Sequence, residues 1–361
     1  MSLKQYFLNF LKFLLFLSVG VILLYLVYNH QNAAFKEDCA LKGIPADQCS
    51  LLDKVVTDFG TVNFFWIVMV LLAFAISNVS RASRWIMLLK PLGVNPRLSN
   101  AFFTTVLGYF FNLALPRLGE LARAGTFARY EHIPVEKVLG TVFVDRVIDV
   151  ISILIVTALA FALEYDTIWA FVQENVSVGS KIETLTTLTW YAVPVFLLGS
   201  FAAYYFRKRL MQTRIVQKVL SVAHGFWQGI TTIRQLDRPW LFLLHSVNIW
   251  VMYYLMTYLC FFSFAPTANL SPIVALVVFV FGGWGIVIPS PGGMGTYHFL
   301  VQTGLIIYGL SGEDGFSWAN IAYFSIQLGG NILMGILALL ALPPLNKGYH
   351  PQGLELAKAV E

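Results

Sequence analysis

Two stretches broken by Gly and Pro, residues 112–125 and 289–295, interrupt long apolar segments in opposite halves of this chain. Such a break leaves backbone N–H and C=O groups without helical partners, and hydrocarbon offers no replacement. Breaks of this kind persist at membrane depth only where protein or a water-filled cavity surrounds them. An interrupted pair in the two halves therefore points to a binding site inside the bilayer and to a substrate pathway.

Composition places the chain in a membrane. It is 58% hydrophobic and only 12% charged, and the charges fall in blocks between apolar runs. No stretch is long and polar enough for a separate soluble domain. The net charge of +5 does not signal nucleic acid, because Lys and Arg follow the loops instead of gathering on one face among aromatics. The apolar run ending near Tyr28 is longer than a signal-peptide core, and Asn32-Ala33-Ala34 is a poor cleavage site, so it reads as an uncleaved first span.

With about 20 apolar residues per helix as the ruler, the expected fold is all-α, a polytopic membrane protein with about six full spans. These cover 6–28, 61–79, 138–163, 188–206, 239–264 and 317–342. Two re-entrant broken-helix hairpins, 101–127 and 271–310, complete an inverted-repeat-like arrangement. Residues 1–346 make the transmembrane domain, with 29–60 an outer loop, 207–238 a cytoplasmic amphipathic segment and 347–361 a cytoplasmic tail. In the amphipathic segment Ile215, Val219, Val222, Phe226, Ile230 and Ile233 recur at helical spacing beside basic residues, fitting either a surface helix or a simple connector.

Charge sets the orientation. Lys4, Lys12, Arg81, Arg84, Lys90, Arg97, the basic block from Arg207 to Arg238, Lys347 and Lys358 can share one side, expected to be the cytoplasm. The opposite loops are mainly acidic, from Glu37 to Asp58, from Glu164 to Glu183, and at Glu313 and Asp314. The parity closes if each hairpin returns to the face it entered from, the first from the cytoplasm and the second from outside. The localisation expected is the cell membrane with both termini cytoplasmic. Cys39 and Cys49 share the first outer loop, where an oxidising compartment permits a disulfide, although spacing alone leaves two free thiols equally open.

The first hairpin carries the densest chemistry. Pro116 and Gly119 favour a turn, and Glu120 and Arg123 share a face if a helix restarts there. Arg117 and Arg123 suit a lipid phosphate, whose oxygens match a guanidinium fork. In the next span Asp145, Arg146 and Asp149 fall in one sector, and each charge costs about 2.5–3.5 kcal/mol at a helix centre unless paired or facing a cavity. Glu120 is the natural partner for Arg146. The same groups fit a structural ion-pair network or an anionic headgroup site, and the two do not exclude each other.

In the second break Pro291 and the glycines Gly292, Gly293 and Gly295 end one helix and begin another near Thr296, whose free N–H groups would suit an anion. His298 relays protons, touches a headgroup or is satisfied by a neighbouring helix. Asn248, Gln327 and Asn331 fit interhelical hydrogen bonding, and Trp85, Trp190 and Trp240 fit interface anchors.

The stretch Pro116-Arg117-x-Gly119-Glu120-x-x-Arg123, the span with Asp145-Arg146-x-x-Asp149 and the Pro291-Gly292-Gly293-x-Gly295 break together resemble the flippase-like family that contains the transmembrane region of lysylphosphatidylglycerol synthases. The resemblance covers nearly the whole chain. It implies translocation of a lipid between leaflets by an inverted-repeat core with re-entrant hairpins. The chain ends at Glu361 with no soluble aminoacyl-transferase region, so lysyl transfer is not implied. No H-E-x-x-H, G-x-S-x-G, D-x-D or Cys/His metal spacing is present, so no catalytic residue, metal or cofactor is expected. The expected partners are membrane lipids, anionic or lipid-phosphate, with a lipid-modifying enzyme as a further partner, no nucleic acid, and the oligomeric state open. The alternative reading is a membrane-embedded lipid-modifying or glycosyl transferase, or its accessory subunit.

Overall fold

The structure is a computed structural model that describes residues 18, 21–22, 24–26, 28–30, 32–33, 35–37, 39–40, 45, 49–92, 94–114, 118–175, 236–288, 293–349 and 351. Most of the expected span 6–28, the whole of 188–206, residues 207–235 of the amphipathic segment and the tail from 352 onward lie outside them, as do Pro116, Arg117, Trp190, Pro291 and Gly292.

Among the described residues the regular structure is entirely helical. In chain order it comprises α1 Leu51–Gly60, α2 Phe64–Leu89, α3 Leu98–Ala114, α4 Leu118–Glu131, α5 Val135–Leu163, α6 Tyr165–Asn175, α7 Pro239–Phe261, α8 Pro272–Val287, α9 Thr296–Ile306, α10 Gly312–Ala322 and α11 Asn331–Leu345. A π-helical segment, Tyr323–Gly330, joins α10 to α11. Among the described residues, four helices are long and apolar enough to cross a membrane: α2, α5, α7 and the continuous Gly312–Leu345 rod. The 26 residues of α2 and 29 of α5 extend about 39 and 44 Å, beyond a hydrocarbon core of about 30 Å.

Local chemistry sets where these helices begin. The Asn63 side chain accepts the Phe65 N–H at 3.1 Å to cap α2, and Ser311 does the same for Asp314 N–H at 3.2 Å to cap α10. Pro239 and Pro272 open α7 and α8, where a missing N–H removes no helical bond. Outward faces are apolar, as with Leu244 and Val247 on α7, Ile155 and Leu159 on α5, and Leu340 on α11. Water would penalise such surfaces, and lipid does not.

The ends of α2 contradict the expected boundary. The apolar run falters at Arg81, which suggested a span ending at residue 79, yet the helix continues to Leu89. Arg81 and Arg84 are therefore not loop charges that set topology. Trp85 is not an interface anchor either: it is fully buried and its Nε1 donates to Thr141 Oγ1 at 3.0 Å. Trp240 is 80% exposed at the start of α7, where an anchor would sit. Asn248 donates to Ser80 Oγ across to α2 at 2.7 Å, whereas Asn331 donates to Gln327 O within its own rod at 2.8 Å.

Two helical hairpins, α3–α4 and α8–α9, pack between the long helices. Their helices have 17, 14, 16 and 11 residues, each shorter than the roughly 20 needed to span. They are rooted at opposite ends of the bundle. The base of α3–α4 is tied to the end of α11, where Asn100 and Asn346 exchange hydrogen bonds at 2.9 and 2.8 Å and Tyr349 donates to Glu131 at 2.9 Å. At the other end Asn63 N–H bonds Ser263 O at 2.9 Å, joining the start of α2 to the end of α7. There too Lys54 of α1 holds Asp314 of α10 at 2.7 Å, beside the turn that follows α9.

The first break is narrower than the sequence suggested. Gly119 lies in the first turn of α4, and its role is close approach: a Cβ there would sit 2.0 Å from Gly108 O and 2.6 Å from the Asn112 side chain. Its N–H donates to Asn112 Oδ1 at 2.9 Å, which locks the two arms together. Gly125 sits inside α4 in open space, so it breaks nothing. In the second break Gly293 and Gly295 take φ of +80° and +82°, a region that side chains rarely enter.

Candidate functional site

At the centre of the bundle four arginines meet three carboxylates drawn from α2, α4 and α5. Arg84 bridges both aspartates of α5, with Nη2 2.5 Å from Asp145 Oδ1 and 2.7 Å from Asp149 Oδ1. Its Nε also reaches Asp145 Oδ1 at 3.0 Å. Arg81 donates to Asp149 Oδ2 at 2.6 Å, to Asp145 Oδ2 at 3.4 Å and to the Tyr253 hydroxyl of α7 at 3.3 Å. The four-residue spacing of Asp145 and Asp149 puts both on one face of α5, and the three-residue spacing of Arg81 and Arg84 does the same on α2. The two pairs interlock like opposed combs.

Hairpin α3–α4 supplies the rest. Arg123 donates to Asp145 Oδ2 at 3.2 Å, and its guanidinium carbon lies 3.8 Å from the Trp85 ring centre. Arg146 reaches Glu120 of α4 at 2.9 Å and Asp149 at 3.5 Å. Tyr109 of α3 stands within electrostatic reach of Arg81, Arg123 and Arg146. Burial falls across the cluster: Arg84 and Asp145 are sealed, while the side chains of Arg146 and Glu120 are 36% and 27% exposed. The cluster thus has a closed floor and an open edge beside the first hairpin.

The charges do not balance. Four guanidinium groups face three carboxylates, which leaves one positive charge in excess among the described residues. Arginine does not shed a proton at any physiological pH, so the excess cannot vanish by titration. Donors are in excess as well: Nε and Nη2 of Arg123 and the Nε atoms of Arg81 and Arg146 are buried without partners among the described residues. Buried donors left this way are rare and mark a strained group, an absent water or an absent ligand.

Of the residues singled out in the sequence, the structure brings together Glu120, Arg123, Asp145, Arg146 and Asp149. Gly119 shapes the hairpin that carries Glu120 and Arg123. Arg117 and Pro116, and likewise Pro291 and Gly292, lie outside the described residues. Gly293, Gly295 and His298 form a separate place at the second hairpin, where among the described residues no hydrogen bond or ion pair links them to the arginines. His298 is 1% exposed, its Nδ1 accepts the Gly295 N–H at 3.4 Å, and its ring lies 4.7 Å from that of Tyr323. Cys39 and Cys49 are joined as a disulfide just before α1.

Sequence reasoning missed Arg81, Arg84 and Tyr253. The signal that could have found the arginines is the apolar run Ile86-Met87-Leu88-Leu89 beyond them, which argues that the helix goes on. Tyr253 carries no signal, because a tyrosine in an aromatic-rich span is ordinary.

Comparison with known proteins finds membrane proteins. A family model described as the lysylphosphatidylglycerol synthase TM region matches residues 51–335. The chain is 23% identical over 179 residues to the UPF0104 membrane protein MJ1595 of Methanocaldococcus jannaschii. That alignment takes in 46% of this chain and 53% of the archaeal protein, so the chain spans about half the length of the curated relative. No solved structure matches.

Proposed function

The chain belongs to the family of the lysylphosphatidylglycerol synthase transmembrane region, and from that premise we propose that it moves an anionic phospholipid or polyprenyl-linked lipid between leaflets of the cell membrane. Its helices make it an integral membrane protein, and its family gives it a lipid-related role. The observation that carries the finer reading is the uncompensated positive charge of the buried cluster, together with the unpaired donors of Arg123. A monoanionic phosphodiester supplies what is missing, one negative charge and acceptor oxygens that fit a guanidinium fork.

In this reading the headgroup enters at the open edge, where Arg146 exchanges Glu120 for phosphate, and passes to Arg123 while the acyl tails stay in lipid. The opposing term is headgroup desolvation, which a polar path lined by fixed charges reduces. The two hairpins act as re-entrant elements, the first from the cytoplasmic face and the second from outside, with both termini cytoplasmic. No covalent step is required of any residue, and the protein works as a translocator and not as an enzyme.

Reconstitution tests this directly. Purified protein in liposomes carrying tail-labelled phosphatidylglycerol or phosphatidylcholine is exposed to dithionite, which bleaches only the outer leaflet. The expected result is faster equilibration of the anionic lipid, abolished by Arg146→Met without loss of membrane insertion. Unchanged movement in that variant counts against the mechanism. A modified lipid product without transbilayer movement favours a membrane-embedded transferase, and neither product nor movement leaves a structural role.

A further inference from the structure

The imidazole of His298 sits where a capping side chain would, three residues into α9 and turned back on the residue that starts it. The Gly295 N–H donates to Nδ1 at 3.4 Å, which requires that Nδ1 carry a lone pair. The neutral ring therefore bears its proton on Nε2, which is buried. Asn320 of α10 lies alongside, its side-chain oxygen the acceptor that Nε2–H requires, while its amide nitrogen donates to Phe316 O at 2.8 Å. Gly295 has no side chain to return the bond, so His298 is the group that satisfies the Gly295 N–H, while the Thr296 hydroxyl ties the same break by donating to Gly285 O at 2.6 Å and Gly293 O at 3.1 Å.

The ring is walled by neutral groups. Tyr297 flanks it on α9, Phe316 and Asn320 face it from α10, and Tyr323 covers it from the first residue of the π segment. From α7, Cys260 interacts with Tyr297. From α8, Gly282 and Gly285 abut Tyr297 and carry no titratable group. Among these neighbours there is no carboxylate to stabilise an imidazolium and no second base to compete for its proton.

We propose that His298 is a proton-sensing cap whose protonation releases the second hairpin. A proton taken from water adds to the Nδ1 lone pair and makes it a donor. Two donors, Nδ1–H and Gly295 N–H, then face each other and the cap opens. The hydrogen bond to Gly295 breaks, and the new positive charge moves away from an apolar wall toward solvent or an anion. Gly295 takes a positive φ of +82°, a region open to glycine without strain. The start of α9 is linked to the central cluster through α8, where Trp284 donates to Thr157 of α5 at 3.1 Å, two turns beyond Asp149. Only the transport consequence rests on lipid translocation; the proton site and its effect on the hairpin stand apart from it.

The deciding experiment is hydrogen exchange on the full-length protein in lipid nanodiscs, read as protection factors for the Gly295–Phe299 amides from about pH 7.5 to about pH 4, across the imidazole range. The comparison variant is His298→Gln, because Gln at this position can still accept the cap N–H and cannot titrate. Wild type is expected to lose protection of this segment at least tenfold as the pH falls, while His298→Gln stays flat. A flat wild-type profile, or the same fall in both proteins, overturns the proposal. A parallel dithionite assay with tail-labelled phosphatidylglycerol at both ends of the range separates the two ideas. Absence of movement at every pH defeats translocation but leaves the exchange result to judge the cap.

Discussion

Arg123 lies against Trp85 with 3.8 Å between its guanidinium carbon and the ring centre, while one nitrogen reaches Asp145 at 3.2 Å. The indole covers one face of the cation and Asp145 takes one edge, so Nε and Nη2 are left as donors for something else. This pairing leaves a buried fork of donors within the cluster. It also ties the first hairpin to α2.

Arg123→Lys keeps the charge but loses both the stacking face and the fork. A desolvated cation–π contact contributes about 2 kcal/mol, and a point charge cannot bind phosphate bidentately. Phosphatidylglycerol movement is expected to fall at least tenfold in this variant, with the thermal midpoint lowered by several degrees through the lost stacking contact. Retention of the full rate in liposomes would show that the fork is not used.

Asp145→Asn removes the carboxylate shared by Arg81, Arg84 and Arg123. Breaking a buried pair by deleting one partner costs about 3–5 kcal/mol, because the remaining charges stay buried and uncompensated. The variant is expected to unfold at markedly lower temperature in detergent. Asp149→Asn should be milder, since that side chain is 14% exposed and water can reach it. Thermal melts of the two variants side by side check the order.

Gly119→Ala would place a methyl group 2.0 Å from a backbone oxygen, Gly108 O, which cannot swing aside. Overpacking of this kind costs about 1–3 kcal/mol or more and should pry α3 from α4. Gly125→Ala meets nothing within 4 Å and gains roughly 0.8–1 kcal/mol of helix propensity. Opposite shifts in melting temperature are the expected result, and equal shifts would mean the hairpin packs differently.

Lys54 links Asp58 on its own helix to Asp314 on α10, at 2.9 and 2.7 Å. Burial works against its charge, but the hydrogen bonds to Asp314 and Asp58 outweigh that and raise its pKa above the ordinary lysine value. A raised folded pKa means the stabilisation is complete below the unfolded value of about 10.4 and fades as pH climbs through the higher folded value. Docking of α1, followed by hydrogen exchange of Leu51–Gly60, should therefore be weaker in Lys54→Met at neutral pH, by less than about 1 kcal/mol for a partly exposed pair. Once the pH has passed that raised folded value the two proteins should converge.

Much of this was legible in the sequence because the bilayer is a severe solvent. Apolar length marked α5, α7 and the final rod to within a few residues, and the Gly/Pro breaks marked where the two hairpins turn. Glu120 and Arg146 could be paired on paper because each needed a partner and few lay in reach. Arg81 and Arg84 were misread because hydropathy is a local sum: a charged residue lowers it whether water or an aspartate from another helix satisfies the charge.

The sequence by itself determined that the chain is helical and membrane-bound, that it has two breaks, and that charged groups sit inside apolar spans, since each follows from backbone hydrogen bonding and side-chain hydration. Only the tertiary structure decided which charges meet. It put α2 against α5 so that two arginines serve two aspartates, carried Arg123 in on a hairpin arm, and left one guanidinium in excess with donors to spare. That surplus is a sum over three helix faces, and a property of packing cannot be read from any one stretch of chain.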